Sequence, residues 1–295
     1  MSSSKSSICV TFLSDAKYFD KFVETCTQLI QRGQYLATRG GSGSSSDQRR
    51  DICLIIDDSL HELEIYNHPF LLENKIVVKY FPNIKFSDNF HSIARHCDRY
   101  NKIIQYHKFY LFDQFFKKWD YIFYMDAGMQ IKSPIQPILD VLKPDCFYAH
   151  SDSYHEYKWA LERQFFNIGG YLEKLRQHMD LNIDYFQTTI LIFDTRKYIR
   201  DNVVERLIDL TEEFPNSNTN EQGIMSIYFS KVWQQIPMFV PNKPYIRLYD
   251  FMPRFPPYTY IMYKYDFNMT SPITIDPATT GKIPANARVK PRLEM

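Results

Sequence analysis

Hydrophobic residues along the chain fall into two kinds of run, and the difference predicts most of its elements. Ile8–Leu13, Ile52–Ile56, Ile76–Tyr80, Tyr121–Met125 and Cys146–Ala149 are short and dominated by apolar or aromatic residues, with little polar alternation. Such runs read as strands buried on both faces. Tyr185–Phe193, with Thr188, Thr189, Ile190 and Ile192, is a further strand rich in β-branched residues. Elsewhere the spacing is helical: Phe19, Phe22, Val23, Cys26, Leu29 and Ile30 recur three and four apart. Tyr100–Phe116 reads as a largely buried helix ending at Lys117-Lys118, where basic residues suit a helix C-terminus. Asp194-Thr195 is placed to cap a helix through Leu210. Glu221–Phe229 reads as another helix and Trp233–Val240 as a return strand. Residues 237–257 carry six prolines and read as extended chain.

Strands alternating with helices predict an α/β fold, a mostly parallel sheet covered by helices on both faces. Segment 38–50, TRGGSGSSSDQRR, holds no core former and is expected to be a mobile surface loop. The expected organisation is a single domain over residues 8–265, including a Pro- and aromatic-rich extension, and then a tail, 266–295. Ligands of such sheets bind beyond the carboxyl ends of the strands, so acids placed there are the first candidates for function.

Composition acts mainly by exclusion. Thirty-five basic and 34 acidic residues leave a net charge of +1, which provides no global attraction to nucleic acid or anionic lipid. No run approaches the roughly 18 apolar residues of a membrane span, and MSSSKSSICVTFLSD does not have the shape of a signal peptide. The five cysteines, Cys9, Cys26, Cys53, Cys97 and Cys146, are odd in number and contain no Cys-x-x-Cys pair. They read as buried thiols of a reducing compartment, and a cytoplasmic location is the expectation. The 23 Phe and 22 Tyr fit a composition bias better than a sugar-stacking surface.

The sharpest local signal is KKWDYIFYMDAGMQIKSPI, residues 117–135. An apolar strand delivers Asp126, and the small Ala127 and Gly128 that follow would let a large ligand approach the backbone. A carboxylate there suits a divalent metal holding a diphosphate, or merely opens a turn. Asn220-Glu221-Gln222-Gly223 opens a helix, where Glu221 and Gln222 would orient a substrate hydroxyl or Glu221 would only complement the helix dipole. Lys108, on the helix before the Asp126 strand, would meet a phosphate or be solvated. His107 beside it has no ligand partner three or four residues away. Asp57-Asp58 lacks the acid spacing of phosphoaspartate enzymes, and no Walker loop, HExxH or Gly-x-Ser-x-Gly motif is present.

Taken in order, these segments resemble nucleotide-sugar glycosyltransferases of the GT-A fold, in particular the glycogenin and lipopolysaccharide galactosyltransferase-like family. ICVTFLSDAKYFDKF is similar to the family's opening strand and loop; HKFYLFDQFFKKWDYIFYMDAG to its lysine helix and Asp-x-Asp strand; YFQTTILIFDTRKY and TNEQGIMSIYFSK to two later segments. The resemblance spans roughly residues 8–245. It implies transfer of a hexose from a nucleoside-diphosphate sugar, UDP-linked, to a hydroxyl of a glycan, protein or small molecule, with retention. It implies Thr11, Ser14, Asp15 and Tyr18 around the nucleotide base, Lys108 on the donor, and Asp126 as ribose or metal ligand. Gln187, in the place of the family's Asn, joins Glu221 and Gln222 towards sugar and acceptor. The implied cofactor is Mn or Mg, but Gly128 replaces the second acid of Asp-x-Asp and the last histidine is His178. Three outcomes stay open: a substitute acid such as Asp250 or Asp266 with a more loosely held metal, positive side chains in its place (Lys243, Arg247, Arg254 and Lys264 lie in the region that could close over a diphosphate), or lost catalysis. Two rival readings remain: a non-catalytic nucleotide-sugar or glycan-binding scaffold, and a sugar nucleotidyltransferase, whose Gly-rich loop is missing after the first strand.

Overall fold

A computed structural model describes residues 7–35, 50–153, 159–236 and 261–264, with the backbone of 239–240, 243–244 and 246–247. All of the expected loop 38–50 except Arg50 lies outside these residues, as do the tail 266–295, Asp250, Arg254, Asp266 and the side chains of Lys243 and Arg247.

The strands are β1 (Ile8–Ser14), β2 (Arg50–Ile56), β3 (Val77–Tyr80), β4 (Tyr121–Met125), β5 (Gln130–Ile131), β6 (Phe147–Ser151), β7 (Phe186–Asp194), β8 (Trp233–Gln235), β9 (Phe239–Val240), β10 (Lys243–Pro244), β11 (Ile246–Arg247) and β12 (Met262–Tyr263). The main sheet runs β3-β2-β1-β4-β7-β6-β8. Its β3-β2-β1-β4 half is parallel, β7 is antiparallel to both neighbours, and β8 is parallel to β6. The sheet is therefore α/β and mostly parallel, with one reversed strand.

The missing alternation has its explanation here. Every position of β1, β4 and β7 is buried, because the sheet carries a core on each face. Ile122 and Tyr124 of β4 enter one core and Tyr121, Phe123 and Met125 the other. Aromatic residues fill the first core: Phe147 lies 4.5 Å from Phe229 and 5.7 Å from Phe193, ring centre to ring centre. All five cysteines are buried free thiols, as their scattering predicts.

Three expectations are corrected. Tyr100–Phe112 is a run of 3₁₀ turns kinked at Lys102, and Gln114–Lys118 is a second 3₁₀ segment begun by Asp113, whose carboxylate accepts from Phe115 N at 2.8 Å. A three-residue period runs through the buried face of Tyr100–Phe112, which His107, Lys108 and Leu111 complete. Ile103, Tyr106, Phe109 and Phe112 eclipse one another on the core side at three residues per turn. The helix expected from Asp194 to Leu210 is two helices, Thr195–Tyr198 and Val203–Glu213, separated where Asn202 takes a left-handed φ of 65°. The return strand is only Trp233–Gln235, with Phe239–Val240 pairing instead with β10.

Candidate active site at the carboxyl edge of the sheet

Register brings the site together. β1 and β4 run parallel, so Ser14 and Asp126 emerge at the same sheet edge. Because β7 is reversed, its beginning lies at that edge too, and Asp126 N donates to Thr189 O at 2.9 Å. The end of β6 joins them, with His150 opposite Gln187. Carboxyl ends of three strands and the amino end of a fourth thus converge.

A cleft of about 420 Å³ opens there. One wall is Ser14, Asp15, Tyr18 and Lys21, from the end of β1 and the helix Phe19–Gln31; the floor is Tyr124, Asp126, Ala127 and Gly128. The opposite wall is Arg99, Lys102, Ile104, Gln105 and Lys108; beyond the kink at Lys102 the 3₁₀ winding stacks Gln105 with Lys108. Five basic side chains, Lys21, Arg99, Lys102, Lys108 and Lys264, face two carboxylates, Asp15 and Asp126. The cleft carries an excess of positive charge that the near-neutral chain as a whole does not.

At its base lies a closed set of charges. Lys108 Nζ is 3.1 Å from Asp126 Oδ1 and 2.8 Å from Glu221 Oε1, and donates to Thr188 Oγ1 at 3.1 Å. All three of its donors are thus used, and the residue is only 3% exposed. Of the two readings of Lys108, the solvated one fails, because the side chain is drawn inward by two carboxylates. Tyr124 OH donates to Asp126 Oδ1 at 2.7 Å. Lys264 Nζ takes the other oxygen, Oδ2, at 3.0 Å and donates to Thr189 Oγ1 at 2.6 Å. Burial pushes the Asp126 carboxyl up, but Lys108 and Lys264 outweigh it and hold the group well below the usual carboxylate range. Burial likewise opposes the Lys108 charge, and Asp126 and Glu221 more than restore it. Burial pushes Asp15 up, partly offset by the hydrogen bond from Tyr18 N at 2.9 Å.

The turn after Asp126 is stitched to the helix Phe19–Gln31 by that helix's buried polar residues. Gly128 N donates to Thr25 Oγ1 at 2.8 Å, and Ile131 N to Gln28 Oε1 at 2.8 Å. Gly128 has φ 94°, and a Cβ there would find nothing nearer than Lys21 Cδ at 4.0 Å. Glycine is required by backbone conformation rather than by space.

The remaining sequence candidates lie around the cleft rather than in its lining. Thr11 is wholly buried within the sheet. Glu221 reaches the cleft only through Lys108, and its Oε2 is buried without a hydrogen bond among the described residues, as are Gln187 Nε2 and His150 Nε2. Gln222 Nε2 donates to Asp152 Oδ2 and Gln164 Oε1, both at 3.0 Å. His107 is buried and lined up with no metal-ligand partners: no group of three His, Cys, Asp or Glu able to hold a metal occurs among the described residues. Asp57 caps the short helix Asp58–Glu62, accepting from Ser59 N and Leu60 N. Sequence reasoning passed over Lys21, Arg99, Lys102, Tyr124, Thr188 and Thr189; the three-residue period from Arg99 to Lys108 was the one signal that could have found some of them.

A mixed sheet of this order, with a basic cleft at its carboxyl edge, defines an α/β protein of the GT-A type. The model of glycosyl transferase family 8 matches residues 9–239, and the chain belongs to that family. Among solved structures it is similar to the galactosyltransferase LgtC in complex with donor and acceptor sugar analogues, at 13% identity over 81% of this chain and 75% of LgtC, with a TM-score of 0.50. It is also similar to the glycosyltransferase GlyE of Streptococcus pneumoniae TIGR4, at 15% identity over 78% of this chain, with a TM-score of 0.45. Mouse xyloside xylosyltransferase 1 matches at 9% identity over 83% of this chain and 87% of its own, with a TM-score of 0.44. The chain spans 45% of the length of GlyE. No curated protein sequence matches it. No helix among the described residues is long and apolar enough to cross a membrane.

Proposed function

We propose that the protein transfers a hexose from a nucleoside-diphosphate sugar, UDP-linked, to a hydroxyl of a glycan, protein or small-molecule acceptor, with retention of configuration. The observation that carries this reading is the basic cleft at the carboxyl edge of β1 and β4 in a chain of glycosyl transferase family 8. In the reaction the bond from the anomeric carbon to the β-phosphate oxygen breaks and a bond to the acceptor oxygen forms. The acceptor's proton is released, and negative charge grows on the departing nucleoside diphosphate. Fixed positive groups around that charge lower the barrier.

In this reading Ser14, Asp15 and Tyr18 hold the base, with Thr11 bracing their strand from within the sheet. Asp126 and the Ala127-Gly128 turn receive the ribose and diphosphate. Lys108 acts as organiser, tying Asp126 to Glu221 across the floor. Gln187, Glu221 and Gln222 face sugar and acceptor; Glu221 Oε2 and Gln187 Nε2, buried without a hydrogen bond among the described residues, support that role, since buried polar atoms demand a partner. A second reading, nucleotide-sugar binding without turnover, draws on Gly128 and on the double pairing of Asp126. Donor hydrolysis over a panel of UDP-, GDP- and TDP-sugars tests both. Release of one nucleoside diphosphate, abolished in a folded Asp126→Asn variant, is the expected result. Binding without release from any donor favours the second reading, and near-wild-type turnover in Asp126→Asn removes the site assignment.

A further inference from the structure

We propose that the ammonium group of Lys264 is the cation of the diphosphate subsite, filling the role that a divalent metal would otherwise have, so that the donor binds in the presence of chelator. The inference rests on the glycosyltransferase reading above and deepens it.

Among the described residues, the donor set of the cleft does not fit a divalent ion. Hard cations need several oxygen ligands. At this turn the chain offers one carboxylate, because the residue two beyond Asp126 is Gly128. Both Asp126 oxygens are already committed: Oδ1 to Lys108 and Tyr124, Oδ2 to Lys264. A dication would have to displace an ammonium from Oδ2 while a second one stayed 3.1 Å from Oδ1. With Lys108, Lys264, Asp126 and Glu221 balancing to zero, the cluster has no surplus negative charge to compensate two further positive ones.

Lys264 is placed for the role by tertiary pairing. The segment 261–264 clips onto β5, just beyond the Gly128 turn: Met262 pairs Ile131, Tyr263 pairs Gln130, and Lys132 N donates to Ile261 O at 2.8 Å. Ile261, Met262 and Tyr263 are buried, which fixes the backbone that carries the lysine. Two bonds, to Asp126 Oδ2 and Thr189 Oγ1, aim its ammonium at the cleft floor. An ammonium has three donors. Lys108 has spent all of its own on protein, at 4% side-chain exposure, whereas Lys264 uses two among the described residues and is 28% exposed at the cleft. Lys21, Arg99 and Lys102 on the walls add charge of the same sign. A doubly charged diphosphate is the ligand that this arrangement suits.

The test is calorimetric titration of the full chain with UDP, GDP and UMP, in chelator and in Mn, for the wild type and for Lys264→Gln and Lys264→Arg. Expected is nucleoside-diphosphate binding of equal strength in chelator and in Mn. Lys264→Gln should weaken it roughly ten- to a hundredfold, the worth of a charged hydrogen bond, and Lys264→Arg should restore much of the loss. Binding of UMP, which lacks the β-phosphate, should be unchanged in both variants, and this separates lost contact from lost fold. Binding that requires Mn, or that is indifferent to Lys264→Gln, overturns the inference and leaves the glycosyltransferase reading standing. Silence from all three nucleotides with and without Mn overturns that reading, and the inference with it.

Discussion

Replacing Lys108 by methionine isolates the energetics of the cluster. Methionine matches the lysine stem in volume and rotamer freedom, so the change removes charge and hydrogen bonds with little cavity. Three partners lose their donor: Asp126 Oδ1 at 3.1 Å, Glu221 Oε1 at 2.8 Å and Thr188 Oγ1 at 3.1 Å. Asp126 keeps Tyr124 and Lys264. Glu221, only 1% exposed, keeps among the described residues the Thr188 hydroxyl alone on Oε1, with no bond on Oε2. The cost is therefore that of a broken buried ion pair, about 3–5 kcal/mol. For a chain of 295 residues that corresponds to a fall in Tm of roughly 5–8 °C. Thermal and urea unfolding followed by circular dichroism measure it. The double variant Lys108→Met/Glu221→Leu removes the stranded carboxylate as well and should recover a substantial part of the loss, because residues in one network do not act additively. A single variant within about 0.5 kcal/mol of wild type, the range of neutral surface changes, would refute the cluster as described.

Three further outcomes follow from other parts of the structure. His150 is held neutral by burial, its pKa pushed down to about 4, with its Nδ1 2.7 Å from Ser151 O. The unfolded chain then binds the extra proton between pH 6.5 and 4, so stability falls with falling pH across that window by about 3 kcal/mol; urea midpoints against pH should flatten there in His150→Leu relative to wild type. Gly128→Ala should cost about 1 kcal/mol through its φ of 94° alone, with no steric rearrangement at the turn, measurable by urea unfolding. Gly223→Ala should cost about 1–3 kcal/mol for a different reason, since its Cβ would lie 2.6 Å from Ser217 Oγ and 3.1 Å from the Phe165 ring; a loss no larger than that of an exposed Gly→Ala change would contradict the packing.

What the sequence determined by itself was local. Unalternated apolar runs announced strands covered on both faces, and β4 was visible together with the acid it delivers, because burial on two sides leaves no place for polar residues. The period of the helix Phe19–Gln31 was equally plain, though not the use of its Thr25 and Gln28 to hold the turn after Asp126. Where the local signal was read at the wrong period, the site was misread with it. Taken as α-helix, Tyr100–Phe116 offsets Gln105 from Lys108; as 3₁₀ turns beyond the kink at Lys102 it stacks them on the wall that Arg99 and Lys102 also line. Tertiary structure alone decided the charge cluster. Nothing in the sequence near Asp126 indicates that an ammonium 138 positions later closes on its second oxygen, or that Glu221 shares Lys108 with it. Those distances follow from the reversal of β7 and the pairing of β12 with β5. Such long-range registers are selected by how buried faces and paired charges fit together, and that fit leaves no periodic trace along the chain.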